Sequence, residues 1–588
     1  MTPRHIGRTL PSGRLRLELA VGVTLALAAA FAVAAHSANS RDAASTEFAP
    51  TIEREVPGSG SPGPVPAASV PRPVPQAIAG SNPELGVHFS GLNFQDQRTA
   101  DGGSQFSLEP PDQGLCVGSG SVVETVNDIL AVYDTNGTKL SGPIALNPFF
   151  TNDHAIVRST PPVFGTFIAD PKCYYDPAAQ RFFLTALTIA RDSRTGAFTG
   201  HTDVRIAVSK TSTPTASPSD WTFTTIDTTN DGSNGTPDHD GCPCLGDQPL
   251  IGADANGFYV TTNEFSLFGD EFNGAQIYAL SKADLVAGDP TPTIQRIEGT
   301  PLPSSYGNGP PYSLQPATSP SSSDFVTANN GTEYLLGALE FGKFPFSLDN
   351  RIAVWALTNT GSLDTATPDV HFDDVVVTSQ VYGLPPNIQQ KNGPLPLAAA
   401  TKQSQESLID GGDDRMQTAV WAAGRLWGAG DTVVKTPQDT TQVGITWYSL
   451  IPSVTRTGQV SATVANHGYV SVEGNSVTRP AIAMNPSGSG AIVFTLAGKD
   501  HYPSAAYTTL SSSGTGSVHV AAAGTKPADG FSGYKVFGNA GVERWGDYSA
   551  GAVDPATGKL WLATEWIEGN VGFPFLANWN TSVFQLNP

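Results

Sequence analysis

The sequence has few charged residues, and basic residues are the scarcer kind. Charged residues make up 14% of the chain, and 53 Asp and Glu against 32 Lys and Arg give a net charge of −21. Such a surface repels nucleic acid and anionic lipid, so neither is expected as a partner. An acidic, lysine-poor chain rich in glycine and threonine is typical of exported proteins.

The signatures of two common enzyme classes are also missing from the sequence. No GxxxxGK[ST] loop stands between a strand and a helix, so a P-loop nucleotide site is excluded. No Gly-x-Ser-x-Gly elbow stands between a strand and a helix, which argues against an α/β-hydrolase. Asp238-His239-Asp240 is loop-like and does not match a hydrolase triad by itself.

Only one apolar run is long, and it lies near the N-terminus. Leu19 to Ala35 is broken only by Gly22 and Thr24, and it follows a basic start. Residues 1–36 are therefore predicted to be a secretory signal, or an uncleaved membrane anchor through residues 19–35. Residues 37–85 are rich in Pro, Ser and Ala and are predicted to be a disordered linker. The protein is expected outside the cell or at its surface, with residues 86–588 as one folded domain.

A short unit that opens a hairpin recurs along residues 86–588. Each copy has a polar residue, a short apolar run, a turn rich in Gly, Asn, Asp or Pro, and a stronger apolar run. The copies begin at Asp112, Asp170, Asp247, Asp324, Asp414, Arg479 and Asp547. Strand signals recurring at such spacing predict an all-β fold, a single β-propeller of seven blades, with six or eight as alternatives. A pair of β-sandwiches is the competing interpretation.

The last repeat lacks residues for a full blade. Few residues follow Asp547, whereas Val87 to Phe94 alternates apolar and polar residues before the first repeat. This segment is predicted to supply the missing strand and to close the ring, which would remove exposed sheet edges. The alternative is a loosely packed arm.

Two short segments show a resemblance to a known group of proteins. They are Pro110-Pro111-Asp112 near the first repeat and Trp545-Gly-Asp-Tyr-Ser549 in the last. Together with DPKCYYDPAAQRFFL from Asp170, they resemble segments of a group of secreted bacterial β-propeller proteins, mostly without assigned function. The resemblance runs from about Asn93 to the C-terminus. It departs at Gln113-Gly-Leu-Cys116, where relatives usually carry Thr-Asn-Gly. It implies export and a propeller, and it supplies no catalytic residues.

The polar residues that open the repeats are the candidate binding site. In a propeller the innermost strand of each blade lines the central channel, so these residues are expected near one of its mouths. The predicted binding residues are Asp112, Asp170, Asp247, Asp414, Arg415, Arg479, Arg544, Asp547 and Tyr548. Several carboxylates there could bind Ca²⁺, or the mouth could hold a small molecule or glycan. Alternatively, each Asp caps its own strand or accepts backbone N–H bonds from the next blade.

Arginine suggests an enzymatic alternative, because propeller sialidases clamp a substrate carboxylate with several Arg and use a Tyr and a carboxylate. The residues of those types at repeat starts and in the last repeat are Arg415, Arg479, Arg544, Tyr548 and Glu565. Thr440 to Trp447 also resembles the Asp-box turn of sialidase blades, with Gln442 in place of its Asp. Each Arg could equally pair with a neighbouring Asp, as Arg415 could with Asp413 or Asp414.

Cys116, Cys173, Cys242 and Cys244 are the four cysteines. Export favours disulfides, with three connectivities open. Either Cys242 pairs with Cys244 and Cys116 with Cys173, or the close pair staples the third blade to the earlier ones. Asp238, His239 and Asp240 beside Cys242 leave a zinc site as another alternative.

The strand aromatics are predicted to pack between blades rather than to stack on sugars. They are Tyr174, Tyr175, Phe182, Phe183, Phe258, Tyr259, Trp421, Trp427, Trp447, Trp561 and Trp566. The sequence thus favours an exported propeller that binds a protein or glycan without catalysis. A carbohydrate-active enzyme that uses the channel mouth is the second hypothesis.

Overall fold

Seven four-stranded antiparallel sheets form a seven-bladed β-propeller, which confirms the prediction from the repeats. The computed structural model describes residues 69–298, 311–339, 348–401, 408–537, 541–569 and 577–587. The signal or anchor predicted at residues 1–36 and the linker up to residue 68 lie outside these residues. Within the described ranges, no helix has the length and apolarity needed to cross a membrane.

The first half of the chain forms a leading strand and three blades, each built outward from the channel in chain order. β1 (Leu85–Asn93) leads into α1 (Phe94–Gly103). Blade 1 contains β2 (Gly114–Gly118), β3 (Ser121–Val126), β4 (Ile129–Asp134) and β5 (Lys139–Ala145). A hairpin of β6 (Ile156–Val157) and β7 (Val163–Phe164) precedes blade 2, which contains β8 (Phe167–Asp176), β9 (Arg181–Arg191), β10 (Phe198–Ser209) and β11 (Trp221–Asp227). Blade 3 contains β12 (Cys244–Ala253), β13 (Gly257–Ser266), β14 (Phe272–Ser281), α2 (Lys282–Ala287) and β15 (Ile294–Glu298).

The second half forms four blades in the same way. Blade 4 contains β16 (Gln315–Pro316), β17 (Thr332–Ala338), β18 (Leu348–Thr358) and β19 (His371–Gly383). β20 (Ile388–Gln389), α3 (Pro396–Thr401) and β21 (Leu408–Ile409) connect it to blade 5, which contains β22 (Met416–Ala422), β23 (Arg425–Lys435), β24 (Thr441–Val454) and β25 (Val460–Val470). Blade 6 contains β26 (Asn475–Met484), β27 (Ser489–Gly498), β28 (Ser504–Ser511) and β29 (Gly514–Ala522). Blade 7 contains β30 (Ala550–Val553), β31 (Leu560–Trp566) and β32 (Asn580–Leu586).

The first strands of the blades line a central channel. Each touches the first strand of the next blade, from β2 and β8 round to β30, which touches β2 again. Six of the seven predicted repeat starts mark these inner strands: Asp112, Asp414 and Asp547 lie just before them, and Asp170, Asp247 and Arg479 lie in their first half. The repeat placed at Asp324 is wrong, because Asp324 follows the inner strand β16 instead of opening it. β16 is only two residues long and includes Pro316. It is too short to show the alternation of apolar and polar residues that reveals a strand in a sequence.

The ring closes through the N-terminal strand. β1 pairs antiparallel with β32 as the outermost strand of blade 7, in the register Leu85 to Leu586 and Phe89 to Val583. This confirms the strand predicted near Val87 to Phe94. The strand ends because Asn93 caps the next helix: its side chain accepts the backbone N–H groups of Gln95 and Asp96, and Phe94 begins α1.

Apolar clusters join every pair of neighbouring blades. Trp561 lies in the cluster between blades 7 and 1, and Trp427 and Trp447 lie in the cluster between blades 5 and 6. Further clusters span blades 1 and 2, 2 and 3, 3 and 4, 4 and 5, and 6 and 7. All the aromatics assigned above to packing are buried except Trp421, which is half-buried. Each buried side chain of this size contributes about 2 kcal/mol, so packing between blades holds the ring together.

The last part of the predicted linker contacts the propeller. The N–H of Lys435 donates to the carbonyl of Pro71 (2.8 Å), and Gln76 exchanges hydrogen bonds with Ser471. Further on, Ile78 forms a parallel bridge to Val518 on β29. Residues 69–84 therefore run from blade 5 across blade 6 into β1, although their Pro- and Ala-rich composition carries no strand signal. Both backbone and side-chain hydrogen bonds make these contacts, as where Asn82 Nδ2 donates to the carbonyl of Val520 (2.8 Å).

We predict that the closing strand matters far more than this docked segment. A chain starting at residue 85 should fold as a monomer with a melting temperature a few degrees lower. A chain starting at residue 94 lacks β1, which exposes the hydrogen-bonding edge of β32, and it should unfold or self-associate. Thermal unfolding and light scattering after size exclusion measure both. Equal behaviour of the two truncated chains would contradict the assignment of β1 as the closing strand.

Candidate functional site

A backbone bulge recurs where the inner strands begin. Five residues there, none of them glycine, adopt a left-handed conformation with φ between 47° and 58°: Asp112, Asp170, Gln248, Ser313 and Arg479. Strand pairing shifts register at three of these points, after Ala169, Asp247 and Thr478. Such bulges redirect side chains and are frequent beside active sites. Here the bulges lie at one end of the channel. We name this end the channel mouth; its charged residues include Asp112, Asp170, Asp247, Arg415, Arg544 and Asp547.

Side chains of the preceding blade hold these bulges in place. The N–H of Asp170 donates to Asn127 Oδ1 (2.8 Å), and that of Ser313 donates to Asn263 Oδ1 (2.7 Å). The N–H of Arg479 donates to both carboxylate oxygens of Asp431 (3.0 Å each). All three acceptor residues are buried. A polar contact between consecutive blades therefore recurs at the mouth, because each bulge turns an N–H away from its own sheet.

Asp112 has such a structural role. Its Oδ1 accepts the N–H of Asp547 (2.6 Å) from blade 7, and its Oδ2 accepts Asn127 Nδ2 (2.7 Å). The side chain is buried. This geometry matches the structural alternative, in which an Asp accepts a backbone N–H from the neighbouring blade. Asp414 is also buried, whereas Asp170, Asp247 and Asp547 are half-buried and face the mouth.

The three arginines lie near one another at the mouth, but each has a carboxylate partner. Arg415 Nε donates to Asp413 (2.7 Å and 2.8 Å), and Arg415 Nη1 donates to Gln248 of blade 3. Arg544 Nη2 lies 3.5 Å from Asp547 Oδ2. Arg415 and Arg544 are 17% and 19% exposed, so solvent reaches both pairs. Of the two partners proposed for Arg415, Asp413 makes these bonds.

Arg479 is a structural residue. Its guanidinium donates to the carbonyl of Trp545 (3.0 Å from Nη2), and Nη2 lies 3.5 Å from Asp410 Oδ2. Its side chain is only 5% exposed. It thus ties blade 6 to the start of blade 7, and it is not placed to contact a ligand.

Sequence reasoning missed Lys172 and Tyr312. Lys172 Nζ lies 2.8 Å above the ring of Tyr548, and the Arg415 guanidinium lies 4.9 Å from the ring centre of Tyr312. Tyr548 itself is buried beneath Lys172. A usable signal for Lys172 was its position two residues after the repeat start Asp170, although the bulge between Ala169 and Lys172 interrupts the alternation of the strand. Tyr312 has no such signal, because the inner strand of blade 4 is so short.

The mouth shifts the pKa values of its carboxylates in opposite directions. Burial, with Asp247, Asp112 and Asp547 nearby, raises the pKa of Asp170 well above its ordinary value. Burial alone would also raise the pKa of Asp547, but Arg544, Arg479 and Arg415 outweigh it and hold that pKa below its ordinary value. Burial lowers the pKa of Lys172 to about 7, against the pull of the nearby aspartates. The mouth therefore favours the charged form of Asp547 and the neutral form of Asp170.

The structure bears on two other expectations for the site. Thr440 to Trp447 lies almost wholly on β24 and forms no turn, and Gln442 Nε2 donates to the carbonyls of Val472 and Asn475. The likeness to an Asp-box turn is therefore wrong. A calcium ion at the mouth stays a prediction, and the nearby Lys172 and arginines oppose it electrostatically.

The opposite end of the channel is mainly apolar. Its cavity is lined by inner-strand residues of several blades, including Val117, Tyr175, Met484 and Val553. The disulfide Cys116–Cys173 lies in this wall and joins blades 1 and 2. The two ends thus differ in chemistry, and the mouth is the end suited to a polar ligand.

The two disulfides settle the cysteine connectivity as Cys116–Cys173 and Cys242–Cys244. Both fit an oxidising compartment. They close chain segments of very different length, with sequence separations of 57 and 2. By the chain-entropy relation the first contributes about 4 kcal/mol and the second about 1.5 kcal/mol. Asp238 and Asp240 are exposed, and His239 turns inward to Glu264, so the zinc set considered from the sequence does not assemble.

No protein-family model matches the chain, and no curated protein matches it either. Similar solved structures include a protein of unknown function from Dyadobacter fermentans, 9% identical over 71% of this chain and 95% of that one, with a TM-score of 0.32. A sialidase from Trypanosoma rangeli is 9% identical over 77% of this chain and 56% of its own, with a TM-score of 0.30. An exo-β-1,3-galactanase from Clostridium thermocellum is 12% identical over 71% and 78%, with a TM-score of 0.25. At these values the likeness carries no information about what this chain binds or does.

Asp547→Asn should destabilise the fold at neutral pH. The carboxylate compensates three guanidinium groups, so its loss should cost about 2 kcal/mol, less than for a fully buried pair because 28% of the side chain is exposed. Because the folded-state pKa is lowered, this stabilisation is present above about pH 4 and is lost as the pH falls through the folded value. Urea unfolding of both proteins from pH 7 to pH 3 measures the difference.

The matched control is Asp270→Asn, which removes the same charge from an exposed position in the loop between β13 and β14. It should change the free energy of unfolding by less than about 0.5 kcal/mol at every pH. A difference between wild type and Asp547→Asn that grows as the pH falls would contradict the lowered pKa.

Proposed function

We propose that this protein is an extracellular or cell-surface binding propeller whose channel mouth holds a polar ligand, a glycan or a polar segment of a protein. One observation carries the proposal: the half-exposed charges of the mouth already neutralise one another. Arg415 pairs with Asp413 and Arg544 with Asp547. An arginine clamp for an acidic substrate needs guanidinium groups without carboxylate partners of their own.

The surface chemistry of the mouth favours a glycan. Carboxylates and a lysine interact electrostatically there, and Asp170, Lys172 and Asp247 are all half-buried. A sugar hydroxyl both donates and accepts hydrogen bonds, so it can bridge such neighbours. An apolar ligand would leave these charges desolvated without partners, which is costly. The acidic overall charge disfavours an anionic polymer.

Glycoside hydrolysis is the second candidate, and one observation favours it. Asp170 and Asp547 have pKa values shifted in opposite directions, as an acid and a base acting together require. Both side chains are half-buried at the mouth. In such an enzyme Asp170 would protonate the leaving oxygen, and Asp547 would activate water or attack the sugar.

Binding should depend on the mouth carboxylates. We expect a screen of the purified protein against glycans and surface proteins to yield a ligand, whose affinity is then measured by calorimetry. Asp170→Asn and Asp247→Asn should each raise Kd about tenfold or more, because each replaces a carboxyl oxygen at the mouth by an amide NH₂ group that donates and cannot accept. Asp270→Asn should leave Kd unchanged. A ligand that binds both mouth variants as tightly as wild type would contradict the proposed site.

The same preparations separate binding from catalysis. Wild type should release no sugar from a panel of aryl glycosides and oligosaccharides. Hydrolysis that disappears in Asp547→Asn and persists in Asp270→Asn would overturn the binding proposal and establish the second candidate.

A further inference from the structure

The disulfide Cys242–Cys244 lies at the start of blade 3, three residues before the mouth residue Asp247. Cys244 begins β12 and is fully buried, whereas Cys242 is half-buried. A Cβ at Gly200 would lie 3.3 Å from Pro243 and 3.7 Å from Phe268, so these two side chains flank the same spot. Phe268 is 64% exposed. Cys242 is therefore the more exposed cysteine of the pair and lies next to Pro243 near an exposed aromatic ring, whereas Cys244 is shielded.

Polar groups that can handle a proton and a thiolate surround the sulfurs. Asn273 Nδ2 lies 3.6 Å from Cys244 Sγ and 3.8 Å from Cys242 Sγ. Glu264 Oε1 lies 3.9 Å from Cys242 Sγ and accepts a hydrogen bond from Asn273 Nδ2 (2.9 Å). His239 Nδ1 lies 2.7 Å from the same oxygen. Glu264 is 1% exposed, so a buried carboxylate with a histidine partner adjoins the disulfide.

A stabilising role explains this disulfide poorly. The entropy that a crosslink removes from the unfolded chain grows with the length of the segment it closes. Cys242 and Cys244 are only two residues apart, whereas Cys116 and Cys173 are 57 apart. The apolar surroundings of Cys116–Cys173 also offer no hydrogen-bond donor comparable with Asn273. Its surroundings therefore suit Cys242–Cys244 to reaction with an external thiol, whereas Cys116–Cys173 restrains two blades.

We propose that Cys242–Cys244 is a thiol–disulfide exchange centre that reacts with an external dithiol. A thiolate of the dithiol attacks Cys242 Sγ, the bond between the two cysteine sulfurs breaks, and Cys244 Sγ leaves with the electron pair. The second thiolate of the dithiol then attacks its own first sulfur and releases Cys242 as a thiolate. The dithiol is oxidised to a disulfide, the cysteine pair is reduced, and two protons pass from the reagent to the cysteine sulfurs.

Each neighbouring group has a role in this sequence. Asn273 Nδ2 donates to Cys244 Sγ and stabilises the thiolate as it leaves. Glu264, with its histidine partner, accepts and returns the proton at Cys242. Phe268 and Pro243 supply an apolar surface for the reagent beside the open sulfur. Attack at Cys242 rather than Cys244 follows from exposure alone.

The folded protein is treated with graded dithiothreitol, and free thiols are trapped with an alkylating reagent and assigned by peptide mass spectrometry. Cys242 and Cys244 should become labelled at least tenfold faster than Cys116 and Cys173. Asn273→Asp places a negative charge against the leaving thiolate and should slow labelling about tenfold or more. Asp240→Asn, a nearby exposed change, is the matched control and should not alter the rate. Circular dichroism checks that each variant is folded.

Two single-cysteine variants test the direction of attack. In Cys244→Ser the remaining Cys242 should form a mixed disulfide with oxidised glutathione in the folded protein. In Cys242→Ser the buried Cys244 should react at least tenfold more slowly. The proposal is overturned if Cys242–Cys244 stays oxidised until the protein unfolds, if Asn273→Asp reacts at the wild-type rate, or if both single cysteines react equally.

Discussion

The structure depends on polar contacts between consecutive blades where the inner strands begin. A residue in the left-handed conformation turns its N–H out of its own sheet, and a buried side chain of the preceding blade accepts it, as Asn127 does for Asp170. The bulge costs about 1–2 kcal/mol of backbone strain for a residue that is not glycine. The hydrogen bond offsets this cost, because an unpaired N–H at a buried position would be worse. Apolar packing joins the blades along their length, and these contacts set their alignment at one end.

This alignment brings charges from several blades into one small space. Asp547 from blade 7 lies near Arg415 from blade 5 and Arg479 from blade 6, and its pKa falls as a result. Lys172 from blade 2 lies on the ring of Tyr548 from blade 7. Mutual compensation makes such a mouth stable without a ligand and leaves it rich in donors and acceptors. That combination suits recognition of hydroxyl groups better than capture of an anion.

The two disulfides differ in their surroundings and in the length of chain that they close. Cys116–Cys173 joins inner strands of blades 1 and 2 across an apolar wall, so it restrains two blades. Cys242–Cys244 spans one proline and touches Asn273 and Glu264. Ring size limits what the second bond contributes to stability, whereas its polar neighbours suit it to chemistry. The two disulfides thus differ in their surroundings: Cys116–Cys173 lies in an apolar wall between two blades, and Cys242–Cys244 lies among polar side chains of blade 3.

The sequence by itself determined the fold class, the repeat and the closing strand, because alternating apolar residues and Asp-, Asn- or Gly-rich turns are local features. It also placed six of the seven strand starts, and it missed the one in blade 4 because β16 is two residues long. Only the tertiary structure decided which of these polar residues are buried and which stay partly exposed at the mouth. Asp112 and Asp170 look alike in sequence. Asp112 is nevertheless buried and accepts hydrogen bonds from a backbone N–H and an amide side chain, whereas Asp170 is half-buried. Partners such as Asp413 for Arg415, or Tyr548 under Lys172, are set by how blades meet around the ring. Contacts across the ring join residues far apart in the chain, and no local pattern encodes them.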